Sequence, residues 1–282
     1  FYLGTVENIK EEEDIDDFID SATFGSVVHK ALENIYEPVK GKAVTTDFFD
    51  SLFANGEKNL DKQIFRAINV EYVHDRKEEN ELDPKEITAD IEIIFNTVKF
   101  YLRPLLEYDR KLKNFTYIDS EHRDEVVLRI PNALPFNFKF IIDRLDRVDG
   151  KLRIVDYKTG SDSNEFSDIE KLFNGDFKAI FQLMLYSYAY SEKENLIEDI
   201  EPNIYKLRTI HSNPENSFGI YEKVGIGKRE KFCSYLSKKD MFLEKLSEVI
   251  NEIFDPNVPF QQAKTDKPCV YCPFSKLCAK NN

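Results

Sequence analysis

Nowhere does the chain hold an apolar run approaching the roughly 18 residues that a membrane-spanning helix needs, and its first residues show no basic-then-apolar leader pattern. The expectation is a soluble, cytoplasmic protein. No internal repeat, low-complexity tract or Gly/Ser linker divides the 282 residues. We therefore read 1–282 as a single domain, although that length also admits two. No G-x-x-x-x-G-K-S/T stretch occurs, which excludes a P-loop phosphate cradle and the motor it would power within these residues. Cysteine is scarce: four residues, three of them among the last fourteen, which leaves no scattered disulfide framework.

Positive charge is also in deficit. Against 52 Asp and Glu stand 39 Lys and Arg, for a net charge of −13. Because Lys and Arg on phosphates supply most nucleic-acid affinity, a surface that binds nucleic acid everywhere is disfavoured, while a local basic groove is not. Much of the acid is clustered, as in KEEEDIDD at 10–17, which reads as a solvated loop. Core material is plentiful: 41% of residues are hydrophobic, with 23 Phe and 14 Tyr.

After the acidic opening, SATFGSVVHKALENIYEPV has Ser21 or Thr23 as N-cap candidates and Val27, Val28, Ala31, Leu32 and Ile35 at helical spacing, with Pro38 as the stop. Residues 45–112 predict further helices, with Pro84 near the start of a long one and Pro104 kinking or shortening it. We assign 37–112 as a helical insertion or lid. From 115 the pattern turns to β-type runs, FTYIDSE, DEVVLRI, FNFKFIIDRLDRV and KLRIVDY. FKAIFQLMLYSYAYSE then predicts a buried helix, EPNIYKLRT a strand, and 227–253 a long amphipathic helix. Together these predict an α/β fold with a mixed central β-sheet flanked by helices.

Asp149-Gly150 between two strand-like runs signals a two-residue hairpin. That turn sets Val148 opposite Lys151 and, by equal steps outward, Asp143 opposite Asp156, as a non-hydrogen-bonded pair with Cα atoms about 4.5 Å apart. One face carries Ile141, Asp143, Leu145, Leu152, Ile154, Asp156 and Lys158, a core face that becomes charged at one end. The other carries Asp146 opposite Arg153, which reads as an ordinary cross-strand ion pair. Like charges directly opposite destabilise a sheet unless something offsets them. A divalent cation does so, and oxygen-rich sites suit Mg²⁺ or Mn²⁺. The plainer alternative is a salt-bridged strand end, with Lys158 neutralising one Asp. Near the end of the sequence, Cys269, Cys272 and Cys278 form C-x2-C-x5-C, a thiolate metal-ligand pattern. Cys233 could supply a fourth thiolate, but it falls in the helical pattern and reads as a core or surface cysteine.

These residues resemble the RecB-like (AddB-type) nuclease domains of the PD-(D/E)XK superfamily. FGSVVHKALE is similar to that branch's Gly-x-x-x-His helix, giving Gly25 and His29. FIIDRLDRV gives Asp143, VDYKTG gives Asp156 and Lys158, and QLMLYSYA gives Gln182 and Tyr186 on one helix face. Taken singly, His29 reads as a structural histidine and the Gln182/Tyr186 pair as satisfied core polars; their joint order favours the resemblance. It implies a restriction-endonuclease-like core and metal-dependent hydrolysis of DNA phosphodiesters at DNA ends, with DNA as substrate and a helicase in the same polypeptide or a partner subunit, as in double-strand break repair. His29, Asp143, Asp156 and the Tyr157 carbonyl would hold Mg²⁺ or Mn²⁺, Lys158, Gln182 and Tyr186 would assist, and Glu33 would support His29. It also implies a 4Fe–4S cluster on Cys269, Cys272 and Cys278. Because FYLG opens the chain, the fourth thiolate is expected upstream of Phe1 and the cluster is expected to be absent or incomplete here, with 262–282 a cysteine-rich tail. Alternatives are a DNA-end binding module with a silent site, a CRISPR-associated exonuclease, and a thiolate-metal structural module with incidental carboxylates.

Overall fold

The structure is a computed structural model, and it describes residues 19–73 and 87–259 together with 261–262, 269–270, 272, 274–275 and 277–278. Helix α1 (Ser21–Tyr36) is capped by Asp20, not by Ser21 or Thr23: its Oδ1 accepts from the Ala22 and Thr23 amides at 2.7 and 2.9 Å. The aspartate outcompetes the hydroxyls because it satisfies two otherwise orphaned amides and places a negative charge at the positive end of the helix. The helix buries Val27, Val28, Ala31, Leu32, Ile35 and Tyr36. Helix α2 (Thr46–Glu71) bends at 54–57, where Asn55, Gly56 and Glu57 all have positive φ. Helix α3 (Ala89–Asp109) runs through Pro104. Both pack with α1 in one core, so the helices of 37–112 cover one face of the sheet.

That sheet is mixed. Strands β1 (Lys42–Ala43), β2 (Thr116–Leu128), β3 (Phe136–Val148) and β4 (Lys151–Lys158) are antiparallel neighbours in that order. Strand β5 (Glu165–Phe166) and helix α4 (Lys178–Glu194) follow, and β6 (Ile200–Lys206) then returns parallel to β4. The β3–β4 turn places Asp149 and Gly150 at φ 49 and 80°, the left-handed pair a type I′ hairpin demands. Its register, from Val148↔Lys151 to Arg144↔Val155, is the one counted from the sequence. Helix α4 and helix α5 (Lys239–Phe254) cover the second face, where Leu145, Leu152, Ile154, Leu183, Met184 and Phe242 share a core. A five-stranded mixed sheet between helical layers is a restriction-endonuclease-like arrangement, as expected.

The helix expected over 227–253 begins only at Lys239. Residues 228–232 instead form β8 (Lys228–Phe232), paired with β7 (Ile220–Gly225) in a small sheet with β5. Gly227, at φ 67°, makes the turn, and the charged run Lys228–Lys231 fits a solvated strand as well as a helix face. Cys233 therefore follows a strand and is not helical. None of the described helices is long and apolar enough to cross a membrane.

The Asp146–Arg153 pair is not an ordinary surface pair. Arg144 and Asp146 are wholly buried and Arg153 is 3% exposed, beneath α1 and α3. Asp146 accepts from Arg144 Nε at 2.5 Å and Arg153 Nε at 2.6 Å. Arg144 Nη1 donates to Asp109 at 2.6 Å, which also accepts from the Tyr36 and Tyr205 hydroxyls at 2.5 and 2.8 Å. Four ring faces surround the Arg144 guanidinium, those of Tyr36, Phe115, Tyr117 and Tyr205, at 4.9–5.6 Å. Two cations thus balance two anions in a dry layer. The arrangement survives only while complete, since removing one partner strands a buried charge at a cost of about 3–5 kcal/mol. Arg144→Met should lower unfolding stability by that amount in urea denaturation, far more than the loss of one exposed pair such as Arg147–Glu198.

Candidate active site

Three acids align across neighbouring strands. One step beyond Arg144↔Val155 sets Asp143 opposite Asp156, and the β2–β3 register, Ser120↔Arg144 and His122↔Ile142, sets Glu121 on the other side of Asp143. Glu121 has φ 46°, a left-handed conformation that costs a non-glycine residue energy and tends to persist at functional sites. Here it marks a break in strand alternation. Phe138, Phe140 and Ile142 face the α4 core, whereas Arg144 and Asp146 face the network beneath α1 and α3. At the break, Asp143 and Glu121 both turn toward His29 on α1.

His29 Nδ1 lies 3.4 Å from Glu121 Oε1 and 3.7 Å from Asp143 Oδ2. Its Nε2 donates to the Tyr157 carbonyl at 3.1 Å. Asp143 Oδ2 also accepts the Tyr157 amide at 2.8 Å. With both ring nitrogens facing acceptors, the imidazolium is favoured. Burial disfavours that charge, but the Glu121 hydrogen bond and the fields of Asp143, Glu121 and Asp156 outweigh it and raise the His29 pKa to about 9. Asp156 is 3% exposed. Lys158 Nζ sits 2.9 Å from each of its oxygens but has hydrogen-bond geometry only to Oδ1, so Oδ2 is buried without a hydrogen-bond partner. Burial, and then the Asp143 charge, push the Asp156 pKa up to about 7 despite Lys158. Burial raises Asp143 likewise, against His29.

His29, Glu121 and Lys158 line a cleft of about 720 Å³ together with Ser21, Gly25, Glu33 and Thr159, while Asp143 and Asp156 lie outside its lining. A Cβ at Gly25 would meet Thr159 Oγ1 at 3.6 Å, an ordinary contact, so this wall is close to Thr159 without excluding a small side chain. Gln182 and Tyr186 lie behind the sheet on α4, outside the residues lining the cleft. The Tyr186 ring lies 6.3 and 6.0 Å from the rings of Phe138 and Phe140 on β3, a few residues before Asp143. Glu33 bonds Lys30 at 3.2 Å; the carboxylate that faces His29 is Glu121.

Glu121 is the member that sequence reasoning missed. It could have been reached by continuing the β3 register into β2, but residues 129–135 between those strands include no two-residue turn from which to count.

His29, Glu121 and Asp143 offer ligand atoms within 4.8 Å of one another, and they form the single such group among the described residues. Three carboxylates, Glu121, Asp143 and Asp156, meet two cationic side chains, His29 and Lys158, and Asp156 Oδ2 has no hydrogen-bond partner although Lys158 Nζ lies 2.9 Å away. An oxygen-rich set with one imidazole fits a hard divalent cation such as Mg²⁺ or Mn²⁺. Cys269, Cys272 and Cys278 are free, half-buried and outside any such group. Short backbone turns link them, Cys272 N to Cys269 O at 3.1 Å and Cys278 N to Phe274 O at 3.1 Å.

Both raised groups bind more protons folded than unfolded. His29 contributes stability that is full below its unfolded pKa and lost as pH rises toward about 9. Asp156 acts in the same direction between its ordinary range and about 7. The thermal midpoint in chelator should therefore fall as pH rises from about 5 to about 9. Asp156→Asn should flatten that fall, and the midpoint gained on adding Mn²⁺ should grow with pH as protons cease to compete for the ligands.

No curated protein sequence matches the chain significantly. A family model does, over residues 1–279, a span that takes in α1 with His29, the three acid-bearing strands, Lys158 and α4. On a match covering nearly its whole length, the chain belongs to the PD-(D/E)XK nuclease superfamily.

Proposed function

We propose that the chain is a metal-dependent deoxyribonuclease of the RecB-like (AddB-type) branch, hydrolysing phosphodiesters at DNA ends beside a helicase in the same polypeptide or a partner subunit. The observation that carries this reading is the convergence of Asp143, Glu121 and His29 at one end of a cleft whose wall holds Lys158. Members of this superfamily are generally metal-dependent nucleases. Asp143, Asp156, Glu121, His29 and the Tyr157 carbonyl are the groups that would hold Mg²⁺ or Mn²⁺. Such an ion, when bound, polarises a phosphate and lowers the pKa of a water.

The protein's own groups divide the remaining work. The Lys158 ammonium, kept charged by Asp156 and Asp143 against its burial, supplies positive charge where the phosphate gains negative charge. To serve as a ligand, His29 would have to release to solvent the Nδ1 proton that faces Glu121 and Asp143. Tyr186 acts as a positioning residue, since its ring packs on Phe138 and Phe140 of the strand that carries Asp143, and Gln182 stands one turn before it on the same helix face.

Linear DNA should be degraded with Mg²⁺ or Mn²⁺, and Asp143→Asn or Lys158→Ala should reduce the rate by about a hundredfold or more. Glu121→Gln should weaken metal affinity about tenfold or more. Equal cleavage of closed circular DNA would count against action at ends, and retained DNA binding with no cleavage at all would identify a silent end-binding module.

The thiolates Cys269, Cys272 and Cys278 extend the same reading to an iron–sulfur cluster with a fourth ligand from elsewhere. A polypeptide that also supplies the fourth thiolate, purified without oxygen, should contain iron and absorb visible light, with both lost in Cys272→Ser. A colourless, iron-free form of that polypeptide would end the assignment.

A further inference from the structure

Two residues along from the acid row, the sheet carries a second row of a different kind. Arg123 pairs with Ile141 across β2 and β3, and the β3–β4 register, carried two steps past Asp143 and Asp156, sets Lys158 on the other side of Ile141. A row of three acids is thus followed, about 7 Å along the strands, by a row with a cation on each outer strand.

Among the described residues that line the cleft, the cationic side chains are His29, Lys30, Arg123 and Lys158. Three of these are engaged. His29 faces Glu121 and Asp143, Lys30 bonds Glu33 at 3.2 Å and Lys158 bonds Asp156 at 2.9 Å. The Arg123 side chain is exposed and has no ion pair or hydrogen bond among the described residues. The acids nearest to it along its own strand are committed elsewhere: Glu121 to His29, Asp124 to Lys193 at 2.5 Å, and Glu125, 3.6 Å from Lys139.

Arg123 also lines a second recess, of about 570 Å³, together with Phe140, Ile141 and Tyr186. Its side chain therefore borders open space on two sides, the cleft and the recess. Strand β1 pairs with β2 only at Thr116 and Tyr117, so no described strand covers the outer edge of β2 at this level. A ligand with one phosphate fills the cleft alone, whereas a polymer continues past it and meets Arg123.

We propose that Arg123 is a substrate-positioning residue that holds the phosphate next to the one cleaved, so that the strand runs from the cleft over Ile141 into the recess. The assignment rests on the nuclease reading for its substrate and adds to it a grip on the polymer. Lys158 is tied to Asp156 beside the reacting phosphate, so the next phosphate needs a cation of its own. A guanidinium offers that phosphate two parallel N–H donors, and this one has no carboxylate to give up first.

The test uses the whole chain and a short duplex with a single-stranded tail, in which one tail phosphate at a time is replaced by a neutral methylphosphonate. Binding is read in chelator by fluorescence anisotropy, and cleavage is read with Mn²⁺. Arg123→Gln should weaken binding about tenfold and lower the slope of log affinity against log salt by about 0.7. One methylphosphonate position should cost the native protein the same tenfold and cost Arg123→Gln nothing further, with Arg123→Lys intermediate. In cleavage the loss should fall on KM with kcat kept, while the thermal midpoint and its rise with Mn²⁺ match those of the native protein. Native affinity in Arg123→Gln, or an unchanged methylphosphonate profile, would overturn the proposal, while persisting cleavage would keep the nuclease reading. The expected binding pattern in a protein that cleaves nothing would uphold the contact and remove the nuclease. Equal losses at every methylphosphonate position would reveal a diffuse charge effect and also overturn the assignment.

Discussion

Like charges placed opposite one another in a sheet repel, and the cleft end of this fold is organised around three of them. Glu121, Asp143 and Asp156 occupy successive strands at one level. The protein answers with the cations it owns. His29 reaches across from α1 with both ring nitrogens engaged, and Lys158 covers Asp156 from its own strand. The Tyr157 amide gives Asp143 one further donor. The offset is incomplete, since three acids meet two cations and Asp156 Oδ2, though 2.9 Å from Lys158 Nζ, has no hydrogen-bond partner. If the cluster admits a divalent ion, as proposed, that shortfall is what attracts it, because full neutralisation by fixed side chains would remove the attraction.

Such a cluster stays in place only if its strands cannot relax apart. Asp143 adjoins Arg144, whose guanidinium is fixed by Asp109, Asp146 and four aromatic faces on the α1–α3 side. Tyr186 packs against Phe138 and Phe140 of the same strand from the α4 side. The strand is gripped on both faces within a few residues, with the acid between the grips. Helix α1 belongs to the same arrangement: Tyr36 donates to Asp109 at one end of the helix and His29 meets the acids nearly two turns earlier. The dry ion network is therefore mechanical support for the wet one.

Much of this was legible where a short-range rule fixed the geometry. The Asp149–Gly150 turn made the β3–β4 register countable, and with it the facing of Asp143 and Asp156. Where no such rule applied, the sequence misled. Alternation of Arg144, Asp146 and Arg153 with apolar residues looks like a solvated strand face, because periodicity reports two-sidedness and cannot say that a second helical layer covers the polar side. Lys228–Lys231 is so uniformly charged that strand and helix periods fit it equally. Glu121 was hidden by its long connection and its left-handed backbone, which puts it off the pattern that strands obey.

The two offending features of the sheet share one cause. A regular β2–β3 ladder would send Asp143 and Arg144 to opposite faces and leave Glu121 and His29 without a common meeting point. Breaking alternation at Glu121 costs backbone energy, yet it turns Asp143 toward α1 while Arg144 remains in the buried network. Adjacent residues can then serve the cleft and the core from one side of the sheet. The strain is best understood as the means by which a single strand anchors itself and presents its acid at the same time. The absence of a regular pattern at this position is thus the physical signature of the site.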